Sequence, residues 1–246
     1  MKKYNAFQIK LLMALLMVLD HLPHIPGLVP PVWAGIFHVL TRCVAVWFAY
    51  MAVEGFVHTH SRLRYNLRLF LWSGIMLLGN LLLNRLLGSR GIAVYNNIFL
   101  TLALGVLLLN LLWGSRTPGR PWAAAARILG ALAVSLFGLV FAEGALVLLP
   151  FMVITYGLRE KPRLRNTLYF LWGGLLLAAS YVPYETVEET VSMFLYNSDG
   201  MFFTVLPFLY LYNGQRGPNT RFSKYFFYVF YPAHLWLIAV IAYFAA

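Results

Sequence analysis

Charge is scarce in this chain, and acid is scarcest: 11% of the 246 residues are charged, with 8 Asp and Glu against 19 Lys and Arg. Hydrophobic residues make up 61%, and a water-soluble domain of this length has no way to hide that many. A soluble globular fold is therefore excluded. The single cysteine, Cys43, rules out a disulfide framework and lies inside an apolar run, where a thiol packs as a small hydrophobe. There is no low-complexity tail and no internal repeat of the inverted-repeat transporter kind. No P-loop, GxSxG or dinucleotide-binding glycine pattern occurs either.

What the chain does have is apolar runs of spanning length. They fall at about 5–23, 33–57, 66–87, 95–114, 122–142, 143–158, 167–183, 197–212 and 225–245. The expected fold is all-α, a polytopic integral membrane bundle of about nine transmembrane helices (eight to ten), built as one multi-pass domain over residues 1–246. Ala142-Glu143-Gly144 separates the fifth and sixth runs, as a tight hairpin or a break in one helix. The opening run resembles a signal peptide, but Asp20-His21 and the prolines after it are not a small-residue cleavage site, so an uncleaved first span is expected.

Basic residues sort by loop. A cytoplasmic N-terminus puts Lys2, Lys3, Lys10, Arg62, Arg64, Arg68, Arg116, Arg120, Arg127, Arg159, Lys161, Arg163, Arg165, Arg216, Arg221 and Lys224 on one side. Arg85, Arg90 and the acidic loop Glu185, Glu188 and Glu189 fall on the other. This is a positive-inside pattern with the C-terminus outside. It accounts for the net charge of +11 through topology and anionic lipid, so nucleic acid is not an expected partner. Trp33, Tyr95, Trp122, Tyr181, Tyr184 and Tyr225 near span ends read as interfacial aromatics.

Against this background a few ionisable residues interrupt the apolar runs: Asp20, His21, Arg42, Glu54, His58 and His234. Charge inside a bilayer is costly and usually faces a partner, a cavity or a substrate path. His21 closes the first span and its imidazole titrates near neutral pH, which suits a general base; the plain alternative is an interfacial histidine. Asp20 points about 100° away from it on a helix, so its partner belongs to another helix. Arg42, about nine residues into the second span, lies ~14 Å along it and fits that depth. The pair is either a helix clamp or a support for substrate, for which the guanidinium fork is suited. Glu54 and His58 share one helix face, and with Arg62, Arg64 and Arg68 they border a basic cytosolic mouth. Asn213 and Arg216 lie in a glycine-flanked turn, with Lys224 close behind. Tyr231 sits three residues before His234, next to Pro232. His21-x-x-His24 and His58-x-His60 lack the carboxylate or cysteine that completes a zinc pattern, so no metal is expected.

Four segments, taken in order, resemble the TraX family of membrane acetyltransferases. They are Leu16-Met17-Val18-Leu19-Asp20-His21, the Arg42 segment ending Glu54-Gly55-Phe56-Val57-His58-Thr59, the turn Leu211–Gly217, and Lys224–Leu235. The resemblance spans nearly the whole chain. It extends distantly to a larger membrane acyltransferase superfamily that O-acetylates envelope and secreted glycans. It implies a catalytic role for His21, places the family's aromatic-rich final-span stretch ending in His on His234, and implies an acetyl donor entering from the cytosol and an acceptor on the outer side. The expected function is acyl transfer from acetyl-CoA (acyl-CoA), with no metal, to a hydroxyl or amine of an envelope glycan, lipid or peptide. His21 is the base, Asp20 and Arg42 support it, and Tyr231 and His234 hold the thioester or its oxyanion. Glu54, His58, Arg62, Arg64, Arg68, Asn213 and Arg216 would bind the donor. The expected location is a bacterial cytoplasmic membrane. A proton-coupled transporter and a non-catalytic membrane scaffold are the rival readings.

Overall fold

In the computed structural model, residues 3–114 and 121–246 are described; Lys2, Arg116 and Arg120 lie outside them. Every described regular element is helical. The helices in chain order are α1 (Ala6–His21), α2 (Pro31–Thr41), α3 (Cys43–His58), α4 (Arg62–Leu87), α5 (Ile98–Trp113), α6 (Pro121–Phe141), α7 (Ala145–Gly157), α8 (Pro162–Ser180), α9 (Val187–Tyr196), α10 (Leu206–Leu211) and α11 (Arg221–Ala245). Short 3-10 segments extend α1 at Leu22–His24 and lead into α10 at Ser198–Val205.

Five helical stretches are long and apolar enough to cross a membrane: Ala6–His24, Pro31–His58, Arg62–Arg90, Trp122–Phe141 and Arg221–Ala245. Each of the nine expected runs is largely helical, and five of them reach spanning length. Ile98–Trp113, Ala145–Gly157 and Ser198–Leu211 are apolar yet shorter. α8 carries Arg163, Arg165 and Asn166 in its first turns, which lower its hydropathy. Leu71, Leu78 and Leu82 of α4 and Leu129, Leu132, Leu136 and Val140 of α6 point outward. Helices apolar on their outer faces as well as inside suit a lipid environment.

The second expected span divides into two helices at Arg42, and the sequence supplies the reason. In an uninterrupted helix the His38 carbonyl would accept the Arg42 backbone N–H. Here it accepts Arg42 Nε (2.9 Å) and Thr41 Oγ1 (3.0 Å), while the Arg42 N–H goes to Val39 at 3.4 Å. Side chains that take a backbone carbonyl locally bend or break a helix.

The chain forms two compact units. The first comprises residues 1–47, 78–95 and 166–246; the second comprises 48–77 and 96–165. In the first, α1 packs on α2 and α11, and α2 on α9. Its N-terminal residues pair with the turn after α10: Asn213 donates to the Tyr4 carbonyl at 2.9 Å and Ala6 to Gln215 at 2.8 Å. Gly217 has φ +87°, and a Cβ there would also collide with Asn5. Glycine is thus required twice over at that position.

In the second unit α5 is the most enclosed helix. Leu104 and Leu108 pack against Ala131 of α6 and Ala145 and Leu149 of α7. The Ala142-Glu143-Gly144 break is a tight hairpin, with Gly144 at φ +64° and the Ala142 N–H closing onto Gly138. Glu143 is occupied there: its carboxylate accepts from the Asn97 backbone N–H (2.8 Å) and Asn96 Nδ2 (2.9 Å), and its carbonyl accepts from Thr101 Oγ1 (2.7 Å). An acid at the N-terminus of α5 satisfies orphan donors and complements the helix dipole. Glu143→Ala should therefore lower unfolding stability by about 1–2 kcal/mol. Thermal unfolding in detergent measures it, and an unchanged midpoint would remove the capping role.

Candidate functional site

The site sits at the C-terminal end of α1, where Asp20 and His21 face different neighbours within the first unit. Their side chains diverge because successive residues on a helix point about 100° apart.

His21 is buried, 8% exposed. Its Nδ1 lies 2.7 Å from the Met17 carbonyl one turn back. A carbonyl only accepts, so the proton is on Nδ1 and Nε2 carries the lone pair. His234 of α11, 7% exposed, repeats the arrangement with Nδ1 3.0 Å from the Phe230 carbonyl. The two rings meet edge-on with centroids 5.2 Å apart, and His234 Nε2 is 3.4 Å from His21 Nδ1. When His21 Nε2 takes a proton, the resulting imidazolium is therefore flanked on its Nδ1 side by a carbonyl and by a second imidazole lone pair. Both stabilise the cation. His24 stacks on His21 at 5.6 Å and bonds the His21 carbonyl. Tyr231 meets the His234 ring edge-on at 5.7 Å, and Phe230 stacks on its face at 5.1 Å.

Asp20 faces the α2–α3 break. Its carboxylate accepts from Thr41 Oγ1 at 2.6 Å and from Arg42 Nη2 at 3.2 and 3.3 Å. Arg42 makes its shorter ionic contact elsewhere, from Nη1 to Asp199 Oδ1 at 2.8 Å. His38 completes the group. Its Nε2 donates to the Tyr196 carbonyl at 2.8 Å, which leaves Nδ1 to accept from Arg42 Nη2 at 3.2 Å. The His38 and Tyr196 rings stack at 5.6 Å and 4°. Every guanidinium nitrogen of Arg42 is thus engaged with protein groups, which is the arrangement of a clamp.

The remaining sequence candidates are spread over both units. Glu54, His58, Arg62, Arg64 and Arg68 belong to the second. His58 Nδ1 donates to the Glu54 carbonyl at 2.9 Å, so the pair is joined through backbone. Glu54 acts electrostatically on Tyr50, whose hydroxyl is bonded to Arg165. Arg62 lies 4.2 Å over the Phe56 ring and reaches the Trp113 carbonyl at the end of α5. A cation at a helix C-terminus is favourable, so Arg62 has a capping role there. Asn213 and Arg216 belong to the first unit. The Asn213 side chain accepts from the Gln215 N–H at 2.8 Å, shaping the turn. Arg216 acts electrostatically on Lys10, and Lys10 Nζ sits 5.4 Å over the Phe227 ring. Among the described residues no carboxylate lies within 4 Å of either cation.

Sequence reasoning did not single out His38, Thr41, Tyr196 or Asp199. His38 stands three residues before Thr41 and four before Arg42, within reach of both on a helix, which is a usable signal. Asp199 is 157 residues from Arg42, and nothing local announces the pairing. The sequence presents 187–196 as part of an acidic loop, yet it is helical, with Thr186 capping it and accepting from the Glu189 N–H. Among the described residues no group of three His, Cys, Asp or Glu side chains is arranged to hold a metal ion.

The model of one protein family, described as TraX protein, matches residues 6–242. No curated protein matches the chain, and no solved structure does.

The clamp makes an energetic prediction. The Asp20 side chain is 22% exposed and Arg42 18%, so removing the guanidinium leaves a poorly hydrated carboxylate behind. Arg42→Met should cost about 3 kcal/mol, and the pair Asp20→Asn with Arg42→Met should recover part of it. Denaturant or thermal unfolding in detergent reads both; equal losses in the single and double variants would contradict the clamp.

Proposed function

The chain belongs to the TraX family, and from that premise we propose that it is a membrane acyltransferase. It moves an acetyl group from cytosolic acetyl-CoA to a hydroxyl or amine of a glycan, lipid or peptide of the cell envelope. The observation that carries this reading is the His21–His234 contact, with His21 held by Met17 in the tautomer whose Nε2 is basic.

That geometry supports the following reaction. The acceptor O–H or N–H attacks the thioester carbonyl while His21 Nε2 takes its proton. The Met17 carbonyl and His234 Nε2 stabilise the imidazolium that forms. The tetrahedral oxyanion collapses, the C–S bond breaks, and the same proton passes to the departing thiolate, giving free CoA and the acetylated acceptor. Tyr231, with its ring against His234, is the candidate donor to the oxyanion; one such donor in a dry site contributes a few kcal/mol.

Donor binding draws support from Lys10 and Arg216. Two cations held in each other's field with no carboxylate beside them favour an anionic ligand, and the phosphates of CoA supply one. Lys10 precedes His21 by eleven residues of helix, ~16 Å along α1. A donor with its phosphates at one end and its thioester on a long arm fits that separation. With the N-terminus in the cytoplasm, the Lys10 end faces the soluble donor and His21 faces the outer side, in a bacterial cytoplasmic membrane.

The test is acetyl-CoA binding and CoA release by purified protein. Saturable binding is expected, weakened by the double change Lys10→Ala with Arg216→Ala. CoA release should fall by about 100-fold in His21→Ala without loss of donor binding. Release that survives His21→Ala, or no binding at millimolar acetyl-CoA, would overturn the reading.

A further inference from the structure

We propose that Asp199 and His38 are positioning residues, which hold Arg42 on Asp20 and through it fix the end of α1 that presents His21. The inference rests on the role given above to His21 as the base, and it concerns residues to which neither the sequence pattern nor the family match assigns a role.

The contacts of Arg42 differ in strength. Arg42 reaches Asp20 through a single nitrogen, Nη2, shared between both carboxylate oxygens at 3.2 and 3.3 Å. That is not the parallel two-nitrogen fork in which a guanidinium binds a carboxylate best. Left to this contact alone, the guanidinium would be free to swing. Three further contacts hold it. Nη1 bonds Asp199 at 2.8 Å, Nε bonds the His38 carbonyl at 2.9 Å, and Nη2 donates to His38 Nδ1 at 3.2 Å.

His38 is able to accept that last bond because its own proton is on Nε2, where the Tyr196 carbonyl takes it at 2.8 Å. The ring is also stacked on Tyr196, so its orientation is set twice. Both anchors, Tyr196 and Asp199, flank the end of α9. The Ser198–Val205 segment and α9 therefore act together as the fixed support, and Arg42 as the strut from that support to α1.

The consequence reaches His21 through one peptide unit. Thr41 and Arg42 hold the Asp20 carboxylate on the α2 side, and His21 is thereby turned toward α11. A base needs its lone pair within a few tenths of an ångström of the productive position, and small displacements cost far more rate than stability. The charged and titratable groups facing Arg42 are Asp20 on α1, His38 on α2 and Asp199 after α9. No other charged group is needed to account for its placement.

The experiment compares wild type with Asp199→Asn, Asp199→Glu and His38→Gln. The Asp199 side chain is 60% exposed and that of His38 28%, and the thermal midpoint verifies that each variant is folded. Two readouts are taken. The first is the rate at which diethyl pyrocarbonate modifies His21, located by mass spectrometry, which requires no turnover. The second is CoA release from acetyl-CoA, resolved into kcat and KM. Asp199→Asn should change the His21 modification rate severalfold and lower kcat about tenfold, with KM for acetyl-CoA within about twofold of wild type. His38→Gln should act in the same direction, and Asp199→Glu should restore most of kcat. An unchanged His21 rate together with an unchanged kcat would overturn the proposal, as would a rise in KM at constant kcat. Wild type that releases no CoA, while Asp199→Asn still alters His21 modification, would sink the acyltransferase reading and leave the positioning role standing.

Discussion

The end of α1 is held from two sides by neighbouring residues with different partners, and the candidate site exists because of that. Asp20 is drawn toward the α2–α3 break by Thr41 and Arg42. His21, one residue on, lies against His234 of α11. Neither contact is strong alone: one is a single-nitrogen ion pair and the other a 3.4 Å approach of two imidazoles. Together they leave the last turn of α1 little freedom to rotate, because a rotation that improves one contact breaks the other. The packing of α1 against both α2 and α11 carries the same constraint along the helix.

A guanidinium in an apolar environment would be a liability, and the structure meets it with protein acceptors. The four acceptors are of three chemical kinds: two carboxylates, a backbone carbonyl and a neutral imidazole. The carbonyl is obtained by breaking the helix at Arg42, so the break and the ion pair are one feature rather than two. Such a cluster is weak evidence for stability as such, since buried ion pairs rarely gain more than their desolvation costs. Its value lies in geometry. It offers α1 one position instead of several.

Much of the fold was legible from the sequence because apolar runs and glycine or proline punctuation are local signals. The nine runs all fall on helices, and the Ala142-Glu143-Gly144 break is one of the two arrangements it was expected to adopt. Helix lengths were less legible. The ends of α5 and α7 are set by Asn97, Gly144 and Glu143, which a hydropathy average does not register. In the site, the facing of Asp20 and Arg42 was foreseeable, because an intramembrane charge demands a partner at matching depth. Asp199 and the Tyr196 carbonyl were not, since their partners lie 157 and 158 residues away, and Glu185 just ahead of α9 with Glu188 and Glu189 in its first turn disguises it as a loop. Long-range hydrogen bonds to backbone leave no trace in side-chain patterning.

The central claim is that His21 carries its proton on Nδ1 and keeps Nε2 as the base. Nitrogen NMR of protein labelled at the histidine rings, with His21→Ala used to assign the signals, reads the tautomer of that residue directly. The account predicts a protonated Nδ1 and an unprotonated, imine-type Nε2 for His21 in the resting protein at neutral pH. A proton on Nε2, with Nδ1 as the bare nitrogen, would contradict it.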